Sequence, residues 1–445
     1  MNRLRRDFWF QLLVILLFLL PVIVLFLLPG SALVATCPWF LLALLLCFFM
    51  MWMIFSTFAS EPQEQVKPQP RILDMAEEPE VIKEVMNVDL ATEERGAQIF
   101  RGRLLESAES VYEKLKHALP PQTVPMIQED ERLGTAIVLL PGSSDERTVD
   151  HPSRAWIHWL LFGLTVLTTT FAGAAHRGVN LLEEPARFAV GLPYALGLLA
   201  ILGAHELGHF FMARRHGIRV TPPYFIPVPF ALGTFGAFIQ LKSPTENRRA
   251  LFDVAVAGPL AGLVIAIPAL LIGLQSSEVM KIPSEDGKAV LRHGTSAGSS
   301  ILFALLAKLA LPEALEQGCV IRLSPIAFAG WLGLFITALN LLPVGQLDGG
   351  HTARAMFGDR TGSTISTVAL WSLFLLALFV WPALFLWVII IFFIAGRGMP
   401  PLDDVTPISK GRKCLGYVTF AILAMILLPL PHALWSSIGL HCPYL

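Results

Sequence analysis

Long apolar runs dominate this chain of 445 residues and restrict what it can fold into. Hydrophobic residues make up 54% of the sequence and charged residues only 15%, whereas an ordinary soluble domain has about 25% charged residues. A helix needs about 20 consecutive apolar residues to cross a bilayer, and several runs reach that length. The composition therefore predicts an all-α polytopic protein embedded in a lipid bilayer.

The apolar runs predict about eight transmembrane helices. We expect single spans at about 8–28, 33–57, 155–175, 188–210, 252–274, 325–342 and 415–431, and the run 364–396 has room for two short spans. The run 299–311 has only about thirteen residues, which is more typical of an interfacial or re-entrant segment. If that run did cross the membrane, the orientation of every later span would invert.

Composition also divides the chain into four regions. Residues 1–58 are predicted to form a transmembrane hairpin around a Pro-Gly-Ser turn, and residues 432–445 a short tail. Residues 153–431 are predicted to form the membrane-embedded core. Residues 59–152 are rich in Glu, Lys, Gln and Pro and contain no run long enough to span, which predicts a soluble cytoplasmic region.

Within this soluble region we expect a linker followed by a small α+β module. Apolar residues spaced among charged ones predict an amphipathic helix at about 91–118, and the run Gly134–Pro141 predicts a strand. The alternative is that the region is only a tether.

The N-terminal charges predict the orientation and the location of the protein. Arg3, Arg5 and Arg6 precede the first apolar run, and cytoplasmic segments carry an excess of basic residues. That run is longer than the 7–15 apolar residues of a signal peptide, which favours a retained anchor. Together with the lack of a Ser-rich transit segment, these features predict a multi-pass protein of a bacterial cytoplasmic membrane.

Two histidines and a glutamate lie at the end of the fourth predicted span, in the sequence His205-Glu206-Leu-Gly-His209. Positions i and i+4 share one face of a helix, so both imidazoles can reach the same metal ion. Glu206 lies beside them and can take a proton from a metal-bound water. This is the His-Glu-x-x-His pattern of zinc hydrolases, in which the histidines are ligands and the glutamate is the general base.

Two histidines alone leave a catalytic zinc site incomplete, because such sites use three protein ligands and keep the fourth position for water or substrate. Asp348 is the best candidate for the third ligand, since it follows a span that is predicted to end on the same cytoplasmic side as His209. Gly349 and Gly350 follow it and allow the backbone to turn the carboxylate inward. Ionisable residues near the bilayer are costly and indicate function.

The segment 217–250 contains four prolines within residues 222–229, together with aromatic residues and glycines. Such a helix-breaking apolar segment cannot lie bare in lipid, because each unpaired backbone group would cost several kcal/mol. It is therefore predicted to be a re-entrant loop or β-hairpin packed near the metal site. The alternative is an interfacial loop without a part in catalysis.

Some functional classes are disfavoured by the composition. The five cysteines are scattered without Cys-x-x-Cys spacing, so neither a disulfide scaffold nor a cysteine zinc site is indicated. The net charge of −1 and the lack of a basic tract interleaved with aromatics give no reason to expect nucleic acid as a partner.

Three motifs together resemble the site-2 protease family of intramembrane zinc metalloproteases. They are the His-Glu-x-x-His motif, the small-residue stretch Ala257–Gly262, and Asn340-Leu-Leu-Pro-Val-Gly-Gln-Leu-Asp348-Gly. The resemblance covers residues 155–431. Three further stretches, at 100–104, 243–249 and 252–257, resemble the bacterial and chloroplast branch that includes the ethylene-dependent, gravitropism-deficient and yellow-green proteins, and no inserted PDZ domain is visible.

The resemblance implies that His205, His209 and Asp348 bind Zn²⁺ and that Glu206 activates water to hydrolyse a peptide bond in or near a transmembrane segment of another membrane protein. Asn340 would position the substrate or stabilise the oxyanion, although it can equally well cap a helix. His351 would support a metal ligand from outside the ligand set, or would only cap a helix or face water. The segment 217–250 would bind unwound substrate as an added strand.

Two other functions stay open at this stage. One is a non-catalytic membrane-protein-binding chaperone of the same fold, which the intact Glu206 argues against. The other is a metal transporter, for which intramembrane His, Glu and Asp residues are also expected. The hydropathy shows no convincing inverted repeat of the kind that many transporters have.

Overall fold

The structure of the chain is a computed structural model. It describes residues 71–72, 79–94, 96–120, 122–130, 134–141, 155–228, 232–281, 300–311, 319–379, 385–394 and 400–428. All of these belong to one compact unit of the chain. The predicted hairpin at 1–58 and the predicted tail at 432–445 lie outside the described residues.

The described residues between 71 and 141 form a small α+β module. Its elements are β1 (Arg71–Ile72), α1 (Glu80–Val85), β2 (Met86–Glu94), β3 (Ala97–Leu104), α2 (Ala108–Ala118), β4 (Thr123–Asp130) and β5 (Gly134–Pro141). The five strands form one antiparallel sheet in the order β1-β2-β3-β5-β4, so β4 lies at an edge. Ile82, Phe100, Val111 and Leu115 are among the side chains of its buried core.

The predicted helix at 91–118 is wrong over its first half, and the predicted strand at 134–141 is confirmed as β5. Residues 97–104 form β3, which pairs with both β2 and β5. This pairing on two sides buries Phe100 completely and outweighs the local helical spacing of the apolar residues. The helix begins only at Ala108, where the Ser107 side chain accepts a hydrogen bond from the Ser110 N–H.

The remaining described chain is mostly helical. Its helices are α3 (Ala155–His176), α4 (Leu192–Arg215), α5 (Arg248–Gln275), α6 (Ile301–Ala310), α7 (Pro325–Leu341), α8 (Asp348–Phe357), α9 (Asp359–Phe379), α10 (Phe385–Ile394) and α11 (Lys410–Leu427), with a 3₁₀ helix at Pro185–Val190. Two antiparallel strand pairs accompany them, β6 (Tyr224–Pro227) with β7 (Thr234–Phe238) and β8 (Glu278–Lys281) with β9 (Cys319–Arg322).

Within the described ranges, four helices are long and apolar enough to cross a membrane: α3, α4, α5 and α9. The sequence predicts about eight, and part of the difference comes from helix length. Helix α7, which occupies the predicted span 325–342, has 17 residues, whereas a span needs about 20. Helix α6, in the run 299–311, has ten residues. The expectation that 299–311 is too short to span agrees with α6. Helices α9 and α10 occupy the run 364–396, and residues 380–384 between them are not described.

Helices α4, α5 and α7 pack closely because small residues lie where they cross. A Cβ atom on Gly208 of α4 would lie 2.6 Å from the Ala257 carbonyl oxygen of α5. A Cβ atom on Gly330 of α7 would lie 2.6 Å from the Leu270 backbone nitrogen of α5. Only glycine lets the helix backbones approach this far, and the close packing holds the three helices in a fixed arrangement.

The predicted β-hairpin in the segment 217–250 is present as β6 and β7. It packs against α3, where the rings of Phe162 and Phe225 lie 5.2 Å apart. Near its turn, the Thr168 hydroxyl donates to the Gly233 carbonyl (2.7 Å) and the Tyr194 hydroxyl donates to the Leu232 carbonyl (2.9 Å). The backbone of residues 232–233, just before β7, is thus held by side chains of α3 and α4.

Residues 402–404, the linking segment, continue the sheet of the module. The Ile127 N–H of edge strand β4 donates to the Leu402 carbonyl (2.7 Å), and the Asp404 N–H donates to the Ile127 carbonyl (3.0 Å). The Leu402 side chain is buried in the hydrophobic core of the module. The linking segment therefore attaches the module to the helical part of the chain.

The other side of the linking segment binds the residues that precede α5. The Leu402 N–H donates to the Thr245 carbonyl (3.0 Å), and the Asp403 N–H donates to the Glu246 carbonyl (2.8 Å). Asn247 then caps α5, since its side chain accepts a hydrogen bond from the Ala250 N–H (2.9 Å). The module, the linking segment and the start of α5 are joined by backbone hydrogen bonds.

Burial raises the pKa of Asp404 to about 7, with Asp359 and Glu129 also raising it and Arg248 and Arg354 opposing them. An unfolded aspartate has a pKa of about 3.9, so between roughly pH 4 and 7 the folded chain binds more protons than the unfolded chain. The stability that neutral Asp404 provides is therefore fully present below about pH 4 and is lost as the pH rises through 7.

We expect Asp404→Asn to reduce this pH dependence, because an amide does not ionise. The melting temperature of the variant, relative to that of the unmodified protein, should rise between pH 5 and pH 8. Thermal unfolding of both proteins in the same detergent at several pH values checks this. Parallel pH profiles for the two proteins would contradict it.

Candidate metal centre

Helix α4 carries His205, Glu206 and His209 within little more than one turn. All three residues are buried, with exposed fractions of 4%, 6% and 6%. The spacing of four residues brings the two imidazoles to one face, where their ring centroids lie 4.8 Å apart. The two rings are inclined at 72°, so that their Nε2 atoms converge.

Asp348 reaches the two histidines from a different helix, because it is the first residue of α8. The chain makes a tight turn between the end of α7 and this residue. A Cβ atom on Gly349 would lie 1.9 Å from the Leu341 carbonyl oxygen, and one on Gly350 would lie 2.3 Å from the Gly345 carbonyl oxygen. These two glycines allow the close turn that brings the Asp348 carboxylate to the histidines.

The three side chains have the spacing that one tetrahedral metal ion requires. The His205 and His209 Nε2 atoms are 3.1 Å apart, and Asp348 Oδ2 lies 3.3 Å from each of them. Two ligand atoms bound at 2.0–2.1 Å to a tetrahedral Zn²⁺ are about 3.3 Å apart. The donor set of two imidazoles and one carboxylate is also one that Zn²⁺ accepts, so the group can hold this ion.

The two histidines also influence the ionisation of Asp348. Burial opposes the charged form of this carboxyl group, but the adjacent His209 and His205 outweigh it and hold the pKa of Asp348 well below its usual range. The carboxylate is therefore in the deprotonated form that binds a metal.

Helix α5 holds the ring of His209 in place. The His209 Nδ1 atom lies 2.8 Å from the Val254 carbonyl oxygen, so Nδ1 donates this hydrogen bond and Nε2 is the atom that can give up its proton to bind a metal. One turn further along, a Cβ atom on Gly258 would lie 2.1 Å from His209 Nε2 and 2.4 Å from Cδ2 and Cε1. Gly258 therefore provides the space that the imidazole occupies.

Glu206 lies next to the three ligand candidates without joining them. Its Oε1 atom is 4.0 Å from His205 Nε2, and its carboxylate accepts a hydrogen bond from the backbone of Ile239, just after β7. The hairpin β6–β7 thus leads directly to the glutamate. A carboxylate in this position can accept a proton from a water molecule bound near the ligands.

Asn340 also lies next to the ligand candidates, and His351 is close to Asp348 and His209. The Asn340 amide nitrogen, in the last turn of α7, is 3.4 Å from His205 Nε2. His351 lies on α8, where its ring hydrogen-bonds to the backbone of Gln346 and its Nδ1 atom is buried without a partner among the described residues. All six residues singled out from the sequence are therefore found at or next to one site.

Three contributions to the site were missed in the sequence. The small residues of the stretch 257–262 indicate close helix packing, but only the coordinates show that Gly258 faces His209. The Val254 carbonyl is a backbone group, so no residue type signals its role. The Ile239 backbone contact to Glu206 lies within the apolar loop, whose composition indicates burial but not this partner.

Comparisons with known proteins agree with this site. The sequence model of Peptidase family M50 matches residues 193–381, which contain all three ligand candidates. The chain is 32% identical over 356 residues to "Probable zinc metalloprotease EGY2, chloroplastic" of Arabidopsis thaliana, covering 76% of this chain and 61% of that protein. The protein of the same name from Oryza sativa subsp. indica is 31% identical over 347 residues, covering 76% of this chain and 62% of that protein.

A third relative extends the comparison. "Probable zinc metalloprotease EGY1, chloroplastic" of Arabidopsis thaliana is 32% identical over 259 residues, which is 56% of this chain and 45% of that protein. The chain thus spans about three fifths, or less, of the length of these relatives. The names of all three relatives describe them as zinc metalloproteases. Residues 193–381 of the chain thus match Peptidase family M50, and the chain is similar to proteins named as probable zinc metalloproteases.

Proposed function

We propose that this chain is an intramembrane zinc endopeptidase that hydrolyses a peptide bond in or next to a transmembrane segment of another membrane protein. The observation that carries the proposal is the metal-sized triangle of His205, His209 and Asp348 with Glu206 beside it. The names of the relatives, which describe them as probable zinc metalloproteases, support the same activity.

In this proposal each residue of the site has a separate role. His205, His209 and Asp348 hold Zn²⁺, which when bound polarises a peptide carbonyl and makes water more acidic. Glu206 takes the proton of the attacking water and then gives it to the nitrogen of the broken peptide bond. The amide of Asn340 donates a hydrogen bond to the substrate carbonyl oxygen. A capping role for Asn340 at the end of α7 is the alternative.

His351 supports the site from behind in this proposal. Its buried position on α8, three residues after Asp348, suits a side chain that keeps this helix in place next to the ligands. The hydrogen bond between its ring and the Gln346 backbone would fix the turn that precedes Asp348.

The hairpin β6–β7 is proposed to be re-entrant and to bind substrate. Its turn is hydrogen-bonded to Thr168, which is 13 residues into α3, or about 20 Å along a helix that rises 1.5 Å per residue. If α3 spans the membrane, this places the turn well below the surface. A substrate helix has its backbone amides already paired, so it must unwind before it can add as a strand to β6–β7.

The wider arrangement belongs to the same proposal. Residues 1–58 would be a transmembrane hairpin, the α+β module within 59–152 would be soluble and cytoplasmic, and residues 153–431 would be the membrane core with about eight spans in the whole chain. The assignment to a bacterial cytoplasmic membrane stays a prediction from the N-terminal sequence. The names of the relatives describe them as chloroplastic and give that assignment no support.

Reconstitution with defined substrates tests the proposed function. The purified chain in lipid vesicles should cleave a single-span test protein, and mass spectrometry should place the cut in or beside the apolar segment. A chelator should abolish cleavage and one equivalent of Zn²⁺ should restore it. A span carrying a central Gly-Pro pair should be cut faster than a poly-leucine span, because it unwinds more easily.

The proposal would be overturned if the zinc-loaded chain left a broad panel of single-span proteins intact. Transport of Zn²⁺ into the same vesicles in that case would favour the transporter instead.

A further inference from the structure

The side chain of Arg248, the first residue of α5, connects two parts of the chain that are far apart in sequence. It is 8% exposed, and its Nε–H donates to the Ala355 carbonyl oxygen at 3.0 Å. On its other side, Asp404 Oδ1 of the linking segment lies 4.0 Å from Nε. Arg248 is therefore buried between the linking segment and the last turn of α8.

The backbone of Arg248 is fixed by the module. The linking segment pairs on one side with β4 and on the other with the residues just before α5. Two exposed ion pairs also cross this junction, a two-bond pair between Arg249 and Glu109 (2.9 and 3.0 Å) and a bond between Lys116 and Glu246 (2.8 Å). Exposed pairs of this kind contribute little to stability, so the backbone hydrogen bonds carry the junction. Both Glu109 and Lys116 lie on α2 of the module. The start of α5 thus cannot move without disturbing the module.

Helix α8 connects Arg248 to the metal centre. Ala355 lies in the last turn of this ten-residue helix, and Asp348 is its first residue. Ala355 comes seven positions after Asp348, which is about 10 Å along a helix that rises 1.5 Å per residue. A helix this short tilts as one body, so a hydrogen bond to its last turn restricts where its first residue lies.

We propose that Arg248 is a positioning residue for Asp348, and that the module supports the third metal ligand through the linking segment and Arg248. This inference rests on the proposed function, since it takes Asp348 to be a zinc ligand. In this proposal the module contributes to the metal site. A change that separates the module from the linking segment would weaken the hydrogen bond by which Arg248 holds α8. The module is then a point at which binding of another molecule can change zinc affinity and activity together.

Zinc affinity of purified variants tests the proposal without depending on proteolysis. Arg248→Met removes the donor while keeping most of the side-chain volume, and Arg248→Lys keeps a donor. Arg249→Met is the matched control, because it breaks the ion pair to Glu109 without touching α8. Zn²⁺ affinity is measured by competition with a chromogenic chelator, and hydrogen exchange is followed over residues 348–357.

Arg248→Met should weaken Zn²⁺ binding about 10- to 100-fold, the loss typical when a group that orients a ligand is removed. Hydrogen exchange of the backbone amides in α8 should become faster. Arg248→Lys should recover most of the affinity, and Arg249→Met should behave like the unmodified protein. If Arg248→Met proves unstable, the graded loss in Arg248→Lys relative to Arg249→Met decides the question.

A second comparison separates positioning from general destabilisation. In an Asp348→Asn background, Arg248→Met should cause little further loss of Zn²⁺ affinity, because the ligand through which it acts is already impaired. Equal losses in both backgrounds, or Arg248→Met binding Zn²⁺ as the unmodified protein does, would overturn the proposal. Failure of the unmodified chain to bind Zn²⁺ at all would instead overturn the proposed function.

Discussion

Gly258→Ala should abolish Zn²⁺ binding and proteolysis while the chain still folds. The added Cβ atom would lie 2.1 Å from His209 Nε2 and within 2.4 Å of two more ring atoms, a separation that non-bonded atoms do not adopt. The imidazole would have to leave its position and lose its hydrogen bond to the Val254 carbonyl. The loss of affinity should exceed the roughly 10- to 100-fold cost of losing an outer hydrogen-bond partner, because a ligand itself is displaced.

Zinc content after dialysis and cleavage of a single-span substrate measure this effect. Gly203→Ala is the matched control, since its Cβ atom would have Phe225 Cζ at 4.0 Å as its nearest neighbour, an ordinary contact. Gly203 lies on α4, two residues before His205, and its variant should keep both zinc and activity. A Gly258→Ala protein with full zinc content would show that the His209 ring does not bind zinc in the position between Gly258 and the Val254 carbonyl.

Glu206→Gln should remove proteolysis and leave Zn²⁺ in place. The glutamine keeps the size of the side chain but cannot accept the proton of the attacking water. General-base catalysis contributes about 10²- to 10⁴-fold, so turnover should fall by about that factor. Glu206 Oε1 lies 4.0 Å from His205 Nε2 and belongs to none of the three ligand candidates, so zinc content should stay unchanged.

Single-turnover cleavage together with zinc analysis of the same preparation checks this prediction. The variant should also retain substrate, because binding does not require the base, and it can be used to capture membrane proteins that the active enzyme cleaves. Turnover equal to that of the unmodified chain would show that another group acts as the base. Loss of zinc in Glu206→Gln would show that this carboxylate is a ligand.

The core of the candidate site follows from the sequence because its parts are local or obey a topological rule. His205 and His209 share a face by helical periodicity alone. Asp348 could be named because the ends of two spans on the same side of a bilayer are free to meet, and the structure brings it within 3.3 Å of both histidines. The turn that brings Asp348 to the histidines requires Gly349, because a larger residue there would clash with the Leu341 carbonyl oxygen. The sequence already indicates such a turn, since Gly349 directly follows Asp348.

Other features depend on contacts between distant segments and could not be predicted. The stretch 97–104 has helical spacing but forms β3, because pairing with β2 and β5 supplies backbone hydrogen bonds on both sides. The linking segment at 402–404 shows no strand pattern, and its partners lie in β4 and before α5. Gly258 was recognised as a small residue at a helix crossing, whereas the ring that it faces belongs to a helix about fifty residues earlier.

The central claim is that the ends of two helices meet around one metal ion, with Asp348 as the third ligand. Zinc-edge X-ray absorption of the Asp348→Cys variant tests it most directly. A cysteine sulfur binds Zn²⁺ at about 2.3 Å, a longer bond that compensates for the shorter side chain. The zinc of the unmodified chain should show only nitrogen and oxygen ligands, and the variant should show one sulfur at that distance. A zinc-loaded variant with unchanged nitrogen and oxygen ligands would contradict the claim.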